Sequence, residues 1–261
     1  MLVNKTPCCL GLRPTGFGRK IKIYGFLVGN GQNGHTLVQV LRCKGVRMVE
    51  LSANEYYAID APAEVTKSRA KRVFDVVTAL MLLVFLAPLF VAVSIAVAIE
   101  TRGPVFFRQR RTGFNQQTFY IYKFRTMTVM EDGDNVIQAQ KYDDRVTRVG
   151  AFLRRSSIDE LPQLINVLRG EMSIIGPRPH AVVHDEDYSR QLDEYCKRFR
   201  AKPGITGWAQ VNGLRGQTEE LDEMRQRIQY DNHYIDHWDL GFDATIFAMT
   251  LLVLPFQKSA Y

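Results

Sequence analysis

Cysteine is scarce in this chain. The four among its 261 residues, Cys8, Cys9, Cys43 and Cys196, have the spacing of neither a disulfide framework nor a zinc-ligand set. That excludes a stapled secreted scaffold and a structural zinc domain, and it suits a reducing cytosolic setting. The first twenty residues, MLVNKTPCCLGLRPTGFGRK, lack the apolar core of a signal peptide. No recognisable nucleic-acid-binding module is present, and no low-complexity tract: 46% of residues are hydrophobic and 23% charged, the balance of an ordered chain. Anionic groups are outnumbered, 27 Asp and Glu against 34 Lys and Arg, for a formal net charge of +7. Such a surplus suits nucleic acid, nucleotides or an acidic membrane face. Because the two basic clusters flank an apolar run, a membrane and a phosphate-bearing substrate are expected rather than nucleic acid.

A dinucleotide-binding domain is also largely missing. IKIYGFLV (21–28) reads as a strand, GNGQNG (29–34) as a glycine turn, HTLVQVLRCKG (35–45) as a helix, and VRMVEL (46–51) as a second strand ending near Glu50. This is a G-x-G-x-x-G in a βαβ setting. Only one such unit fits before residue 66, whereas a dinucleotide fold needs several. Residues 1–66 therefore read as an N-terminal extension holding a vestigial βαβ fragment, and residues 67–261 as the functional domain. Residues 54–72 read as a linker that ends in a basic cluster.

What is abundant is one long apolar run, VFDVVTALMLLVFLAPLFVAVSIAVAIE (73–100). Its length exceeds the ~20 residues that a single membrane crossing needs. Pro88 divides it, because a proline inside a helix removes a ladder hydrogen bond and clashes with the preceding turn. Each half, at about 13 residues and 1.5 Å per residue, reaches roughly 20 Å, too short to cross alone. Both flanks are basic: Lys67, Arg69, Lys71 and Arg72 before, Arg102, Arg108, Arg110 and Arg111 after. A crossing helix is expected to be asymmetric in this respect. A helix-break-helix that enters one leaflet and returns fits better, with Asp75 near the interface and close to Arg72.

The chemistry concentrates between Arg154 and Pro179, RRSSIDELPQLINVLRGEMSIIGPRP. Two adjacent carboxylates, Asp159 and Glu160, lie between Arg154 and Arg155 on one side and Arg178, stiffened by Pro177 and Pro179, on the other. Magnesium takes one or two carboxylates together with substrate phosphates, and arginine matches phosphate oxygens with a planar fork. The set is what cleavage of a pyrophosphate needs. A plainer reading competes: Ser157 to Glu160 fits the S-x-x-E capping box, in which Glu160 merely closes a helix. Pro162 would then fall in the second turn, where an N–H is lost, whereas a cap at Asp159 would place it harmlessly in the first. Leu161, Leu164, Ile165 and Leu168 predict a short amphipathic helix ending at Gly170.

Around this stretch, residues 103–127 predict a β-hairpin whose TFYIYKFR strand carries solvated cations on an edge. Residues 131–148 read as a loop. Residues 181–200 read as a charged helix with mostly solvated faces, 202–216 as a glycine-rich loop holding Trp208, and 219–238 as another amphipathic helix. Residues 239–256 are apolar but short for a crossing, in keeping with an interfacial or a buried helix.

Four segments, KRVFDVV…APLF, YKFRTM, SIDELPQLINVLRGEMSIIGPRP and KPGITGWAQVNG, resemble in order and spacing the bacterial sugar transferases, the monotopic polyprenyl-phosphate phosphoglycosyl transferases. The resemblance covers about residues 70 to 255. The C-terminal part is similar to the undecaprenyl-phosphate glucose-1-phosphate transferases that start exopolysaccharide, capsule or O-antigen repeats. It implies an α+β, membrane-monotopic fold: a re-entrant helix pair over 71–100, a cytosolic helical catalytic domain with a small β-hairpin, and amphipathic interfacial helices. It implies transfer of hexose-1-phosphate, first of all glucose-1-phosphate, from a UDP-sugar to undecaprenyl phosphate, with UMP released. UDP-galactose and N-acetylated UDP-sugars are alternative donors, and a catalytically silent membrane scaffold is the rival of a different class. Carried over by motif, Asp159 is the nucleophile that forms an acyl-phosphate, Glu160 with Asp159 the magnesium site, and Arg154 and Arg178 phosphate contacts. Lys71 and Arg72 would face the lipid phosphate, with Asp243 and Gln163 supporting. The implied setting is the cytoplasmic face of a bacterial inner membrane, and a homodimer is compatible with it.

Overall fold

The structure is a computed structural model that describes residues 63–128, 143–216 and 220–253, together with two strands at Tyr24–Val28 and Thr36–Val40. Those strands, β1 and β2, pair antiparallel with Tyr24 opposite Val40 and Val28 opposite Thr36. The helix expected over 35–45 is thus a strand where it is described, and its T-L-V-Q-V alternation is a strand period. A βαβ crossover cannot pass through it. The second strand expected at 46–51 lies outside the described residues.

From residue 63 the chain forms a helical domain with two small strand pairs. After a short helix α1 (Glu64–Lys67), Ser68 caps α2 (Arg69–Phe85) by accepting from the Lys71 N–H. A second helix, α3 (Ala87–Glu100), follows across Leu86, bent by 62° from the first. The predicted break holds, falling at Leu86: Pro88 lies in the first turn of α3, where its missing N–H has no ladder partner to lose. Among the described residues no single helix is long and apolar enough to cross a membrane.

Each limb of the pair has two faces. Lys71, Asp75, Thr78 and Ala79 of α2 are buried, as are Val93 and Val97 of α3. The opposite faces expose Val73, Val77, Leu80, Met81, Val84 and Phe85 on α2, and Val91, Ile95 and Ile99 on α3. Phe85 and Ile99 are 79% and 81% exposed. Continuous apolar faces of this kind are not tolerated in water without a partner or a bilayer.

The inner face of α2 packs on a core of Phe119, Ile121, Leu164, Val167, Ile174, Tyr234 and Ile246. Those side chains come from β4 (Thr118–Phe124), which pairs antiparallel with β3 (Phe106–Thr112), and from α5 (Gln163–Arg169), β5 (Ser173–Ile175), α8 (Leu221–Asp236) and α9 (Leu240–Val253). The predicted hairpin over 103–127 is the β3–β4 pair. The inner face of α3 packs with Phe124 and Leu153 of α4 (Arg148–Ser156). Glu100 adds a polar tie: its carboxylate accepts the Val149 N–H at 3.1 Å, at the electropositive start of α4.

Two expected segments behave otherwise. Over 181–200 only α6 (Val182–Gln191) is α-helical, and a 3₁₀ segment, Tyr195–Arg200, buries Tyr195, Cys196, Arg198 and Phe199 against Met224 and Ile228. Its cations do not merely face solvent. The glycine-rich 202–216 segment contains a strand, β6 (Gly204–Thr206), paired in parallel with β5, and a helical turn, α7 (Trp208–Val211). A Cβ at Gly204 would strike the backbone of Gly176, so the glycines permit an approach that side chains would prevent.

Candidate active site

The two carboxylates lie in a single 3₁₀ turn, Ile158–Glu160, between α4 and α5. Ser157 ends α4 in the left-handed conformation (φ 59°, ψ 15°), and its side chain caps nothing. The capping-box reading is therefore not what the chain adopts. Pro162 stands immediately before α5, and Gly170 ends that helix at φ 81° as predicted. The plain purpose of Glu160 as a helix cap being absent, its partners define it. Both acids are buried, Asp159 8% and Glu160 6% exposed.

Glu160 is gripped by cations from three separate segments. Arg178 donates with both ends of its fork, Nη2 to Oε1 at 2.6 Å and Nη1 to Oε2 at 3.1 Å. Lys123 of β4 reaches Oε1 at 2.8 Å, and Arg215 reaches Oε2 at 3.5 Å. Burial alone would push the Glu160 carboxyl up, but Arg178, Lys123 and Arg215 hold it well below the ordinary carboxylate range. Asp159 is the opposite case. Burial, then the Glu160 charge, raise its pKa from 3.8 to about 6, against the pull of Lys123, Arg154 and Arg178. Arg154 meanwhile is oriented by Thr126 Oγ1 at 2.9 Å and Met127 Sδ at 3.0 Å.

Adjacent carboxyls with pKa values driven apart are a signature of divided labour. One is a fixed anion in a cationic cradle; the other is a more basic carboxyl, ionised at neutral pH, whose chemistry suits an oxygen nucleophile. The cradle matches the charge of a diphosphate: held at Glu160, Arg178 and Arg215 can still present their remaining N–H groups to phosphate oxygens.

Asp159, Glu160, Arg154 and Arg178 are thus brought together as the sequence predicts. Lys71 and Asp243 belong to a buried cluster instead: Lys71 Nζ lies 3.0 Å from Asp243 Oδ2 and 3.5 Å from Asp75 Oδ1. Asp75 further accepts from Ser173 Oγ and the Ile174 N–H, and Asp243 from Tyr234 and Trp238. Asp75, expected at an interface, is only 2% exposed, because α2 presents it inward to β5. Arg72 caps the end of α5 through the Val167 and Leu168 carbonyls. It also lines a small cleft with Ser68, Lys71, Asp75 and Lys202. Gln163 is fully buried at the first residue of α5, its amide nitrogen without a hydrogen bond among the described residues.

The sequence reading missed Lys123 and Arg215. Lys123 had a legible signal: the period of two in TFYIYKF puts it on the face of Phe119 and Ile121, which is buried. Arg215 had none, because only the fold carries its loop to residue 160. For a metal, the described residues hold no cluster of three or more His, Cys, Asp or Glu. The Asp159–Glu160 pair does fit magnesium, which commonly uses one or two carboxylates and completes its shell with phosphate and water.

The family model described as "Bacterial sugar transferase" matches residues 66–257. A protein of Caulobacter vibrioides named UDP-glucose:undecaprenyl-phosphate glucose-1-phosphate transferase is 53% identical over 191 residues, which are 73% of this chain and 72% of that protein. The protein of that name in Xanthomonas campestris is 51% identical over 193 residues, 74% of this chain and 40% of its own length. The Escherichia coli K12 protein of that name is 46% identical over 202 residues, 77% of this chain and 44% of its own. The chain therefore spans less than half the length of two of these three relatives.

Proposed function

Because the chain belongs to the bacterial sugar transferase family, we propose that it transfers glucose-1-phosphate from UDP-glucose to undecaprenyl phosphate, releasing UMP, in the first membrane step of exopolysaccharide synthesis. The observation that carries this reading is the contrast at residues 159 and 160: a buried carboxyl that burial and its neighbour push up to about 6, beside one gripped by Arg178, Lys123 and Arg215. Relatives that bear this activity in their names match the segment that builds the site.

Asp159 attacks the phosphorus next to the sugar. The new bond is Asp159 Oδ to phosphorus, and the bond from that phosphorus to the UMP oxygen breaks, its electron pair leaving with UMP. Undecaprenyl phosphate then attacks the same phosphorus and the Asp159 carboxylate leaves, so no proton need enter the bonds exchanged. Arg178, Arg215 and Lys123 neutralise the diphosphate while Glu160 keeps them aligned. Arg154 lowers the charge cost of ionised Asp159. A magnesium ion held by Asp159 and Glu160 would offset charge on the diphosphate and the departing UMP.

The exposed faces of α2 and α3 support a re-entrant insertion into one leaflet. The bent pair is tied through Glu100 to α4, so the bilayer depth of α3 sets the height of Asp159 relative to the headgroups. Such a placement lets a lipid phosphate and a cytosolic nucleotide reach one carboxylate. The cytoplasmic face of a bacterial inner membrane is the proposed location.

The test is UMP release by membranes carrying the protein, with undecaprenyl phosphate and magnesium, across a panel of UDP-sugars. The proposal expects release with UDP-glucose, abolished in Asp159→Asn and reduced in Glu160→Gln. Release only with galactose or an N-acetylated sugar would refute the donor; no release with any donor would favour a silent scaffold.

A further inference from the structure

Two of the arginines that meet at Glu160 sit on loops, and both loops are fastened to one helix far along the sequence. Arg198, 3% exposed, donates from Nη2 both to Asp231 Oδ2 at 2.9 Å and to the backbone carbonyl of Arg178. Arg227, one turn before Asp231 on α8, donates to the carbonyl of Gly216 at 2.7 Å, next to Arg215. Asp231 is 2% exposed and ion-paired to Arg198 at 2.9 Å, one turn after Arg227 on the same helix.

The rest of the cluster keeps Arg198 in one pose. Its Nη1 donates to His180 Nδ1 at 2.6 Å and to the Tyr195 hydroxyl at 3.1 Å, and that hydroxyl donates to Asp185 at 2.5 Å. Arg198 as donor makes His180 Nδ1 an acceptor, which puts the ring proton on Nε2. His180 is thereby kept neutral, in line with its burial and with Arg198 beside it.

We propose that Asp231 is a positioning residue: by anchoring Arg198 to α8 and offsetting the charge of Arg227 one turn away, it aligns Arg178 and Arg215 toward the diphosphate of the substrate. The geometry is that of a bracket. Its charge is needed, because two neighbouring buried guanidiniums repel unless a nearby anion offsets them. Its forks are needed, because one lysine ammonium lacks the planar geometry by which Arg198 serves Asp231, a backbone carbonyl and His180 together. What the two aligned arginines bind rests on the proposed function, but the alignment does not.

The test needs no turnover. The purified full chain in detergent micelles, without nucleotide, is treated with phenylglyoxal, and the modification rate of each arginine is followed by peptide mass spectrometry. Asp231→Asn should speed labelling of Arg178 and Arg215 several-fold and leave Arg72, fastened to the carbonyls of α5, unchanged. Arg198→Lys should release Arg178 alone, and Arg227→Met should release Arg215 alone. A uniform rise at all arginines would mean that Asp231 serves only general folding, and no change at Arg178 and Arg215 would mean that the bracket does not hold them. Either result overturns the inference. Should Asp231→Asn fail to fold, the two arginine variants, each altering one arm, decide the matter. Absence of activity in the wild type would instead count against the proposed function, while the labelling pattern would still stand.

Discussion

Burying the carboxyl of Asp159 has a thermodynamic consequence that can be measured without substrate. Replacing Asp159 by Asn removes a carboxyl whose pKa is raised from 3.8 to about 6, mainly by burial. Between these values the folded protein holds a proton that the unfolded chain has released, so wild-type stability falls as pH rises through that window. The rise of ~2.2 pH units at about 1.36 kcal/mol each corresponds to about 3 kcal/mol of instability once pH exceeds about 7. An asparagine keeps the shape without the charge, although its amide must still be buried, which leaves an expected gain of about 1–3 kcal/mol. At about 2–4 °C per kcal/mol for a domain of this size, Asp159→Asn should melt roughly 2–12 °C above wild type at pH 8. The gap should shrink as pH falls through that window and close near pH 3, below both pKa values, where the wild-type carboxyl is protonated in both states. Differential scanning fluorimetry of both proteins in one detergent, without nucleotide or magnesium, reads it. A variant that melts at or below wild type at pH 8, or a gap of equal size at both pH values, would refute the assigned burial cost. The inactive variant being the more stable one would mean that the fold tolerates strain at residue 159 for the sake of reactivity.

Three other perturbations have definite outcomes. Lys123→Met removes the 2.8 Å partner of Glu160 and should lower the UMP-release rate by about 100- to 1,000-fold, the range seen for lost preorganised donors; a loss below twofold would remove Lys123 from the site. Asp243→Asn leaves Lys71 without its 3.0 Å partner in a buried setting, and should cost about 3–5 kcal/mol in denaturant titrations, with much of that recovered when Lys71→Met is added. Gly204→Ala drives a methyl into the Gly176 backbone and should part β5 from β6, reducing folded yield and moving Arg178 off Glu160; normal yield and activity together would contradict the close approach.

The sequence exposed the features that follow from local rules. The broken apolar run was legible from Pro88, the hairpin from its period of two, and α5 from its apolar spacing and Gly170. The acidic pair with Arg154 and Arg178 was legible because its members lie within one short stretch. Contacts that depend on chain reversal were not. Lys71 and Asp243 are 172 positions apart, and only the packing of α9 against α2 and β5 makes them a pair. Arg198 read as a solvated cation because a helical period says nothing about a 3₁₀ segment folding inward. Thr36–Val40 was misread because a glycine turn suggested a phosphate loop, although the residues after it alternate as a strand does. Ser157 shows a local rule defeated outright: the S-x-x-E pattern is present, but the left-handed turn that ends α4 removes the capping geometry.

The central claim is that Asp159 carries the sugar phosphate between donor and acceptor. The direct measurement is intact and peptide mass spectrometry of the purified protein mixed with UDP-glucose and magnesium in the absence of undecaprenyl phosphate, quenched at short times. The account predicts a hexose phosphate on the peptide containing Asp159, formed together with up to one equivalent of UMP, absent from Asp159→Asn and discharged on adding the lipid acceptor. An active wild-type enzyme that forms no adduct, and releases UMP only when the acceptor is present, would contradict it.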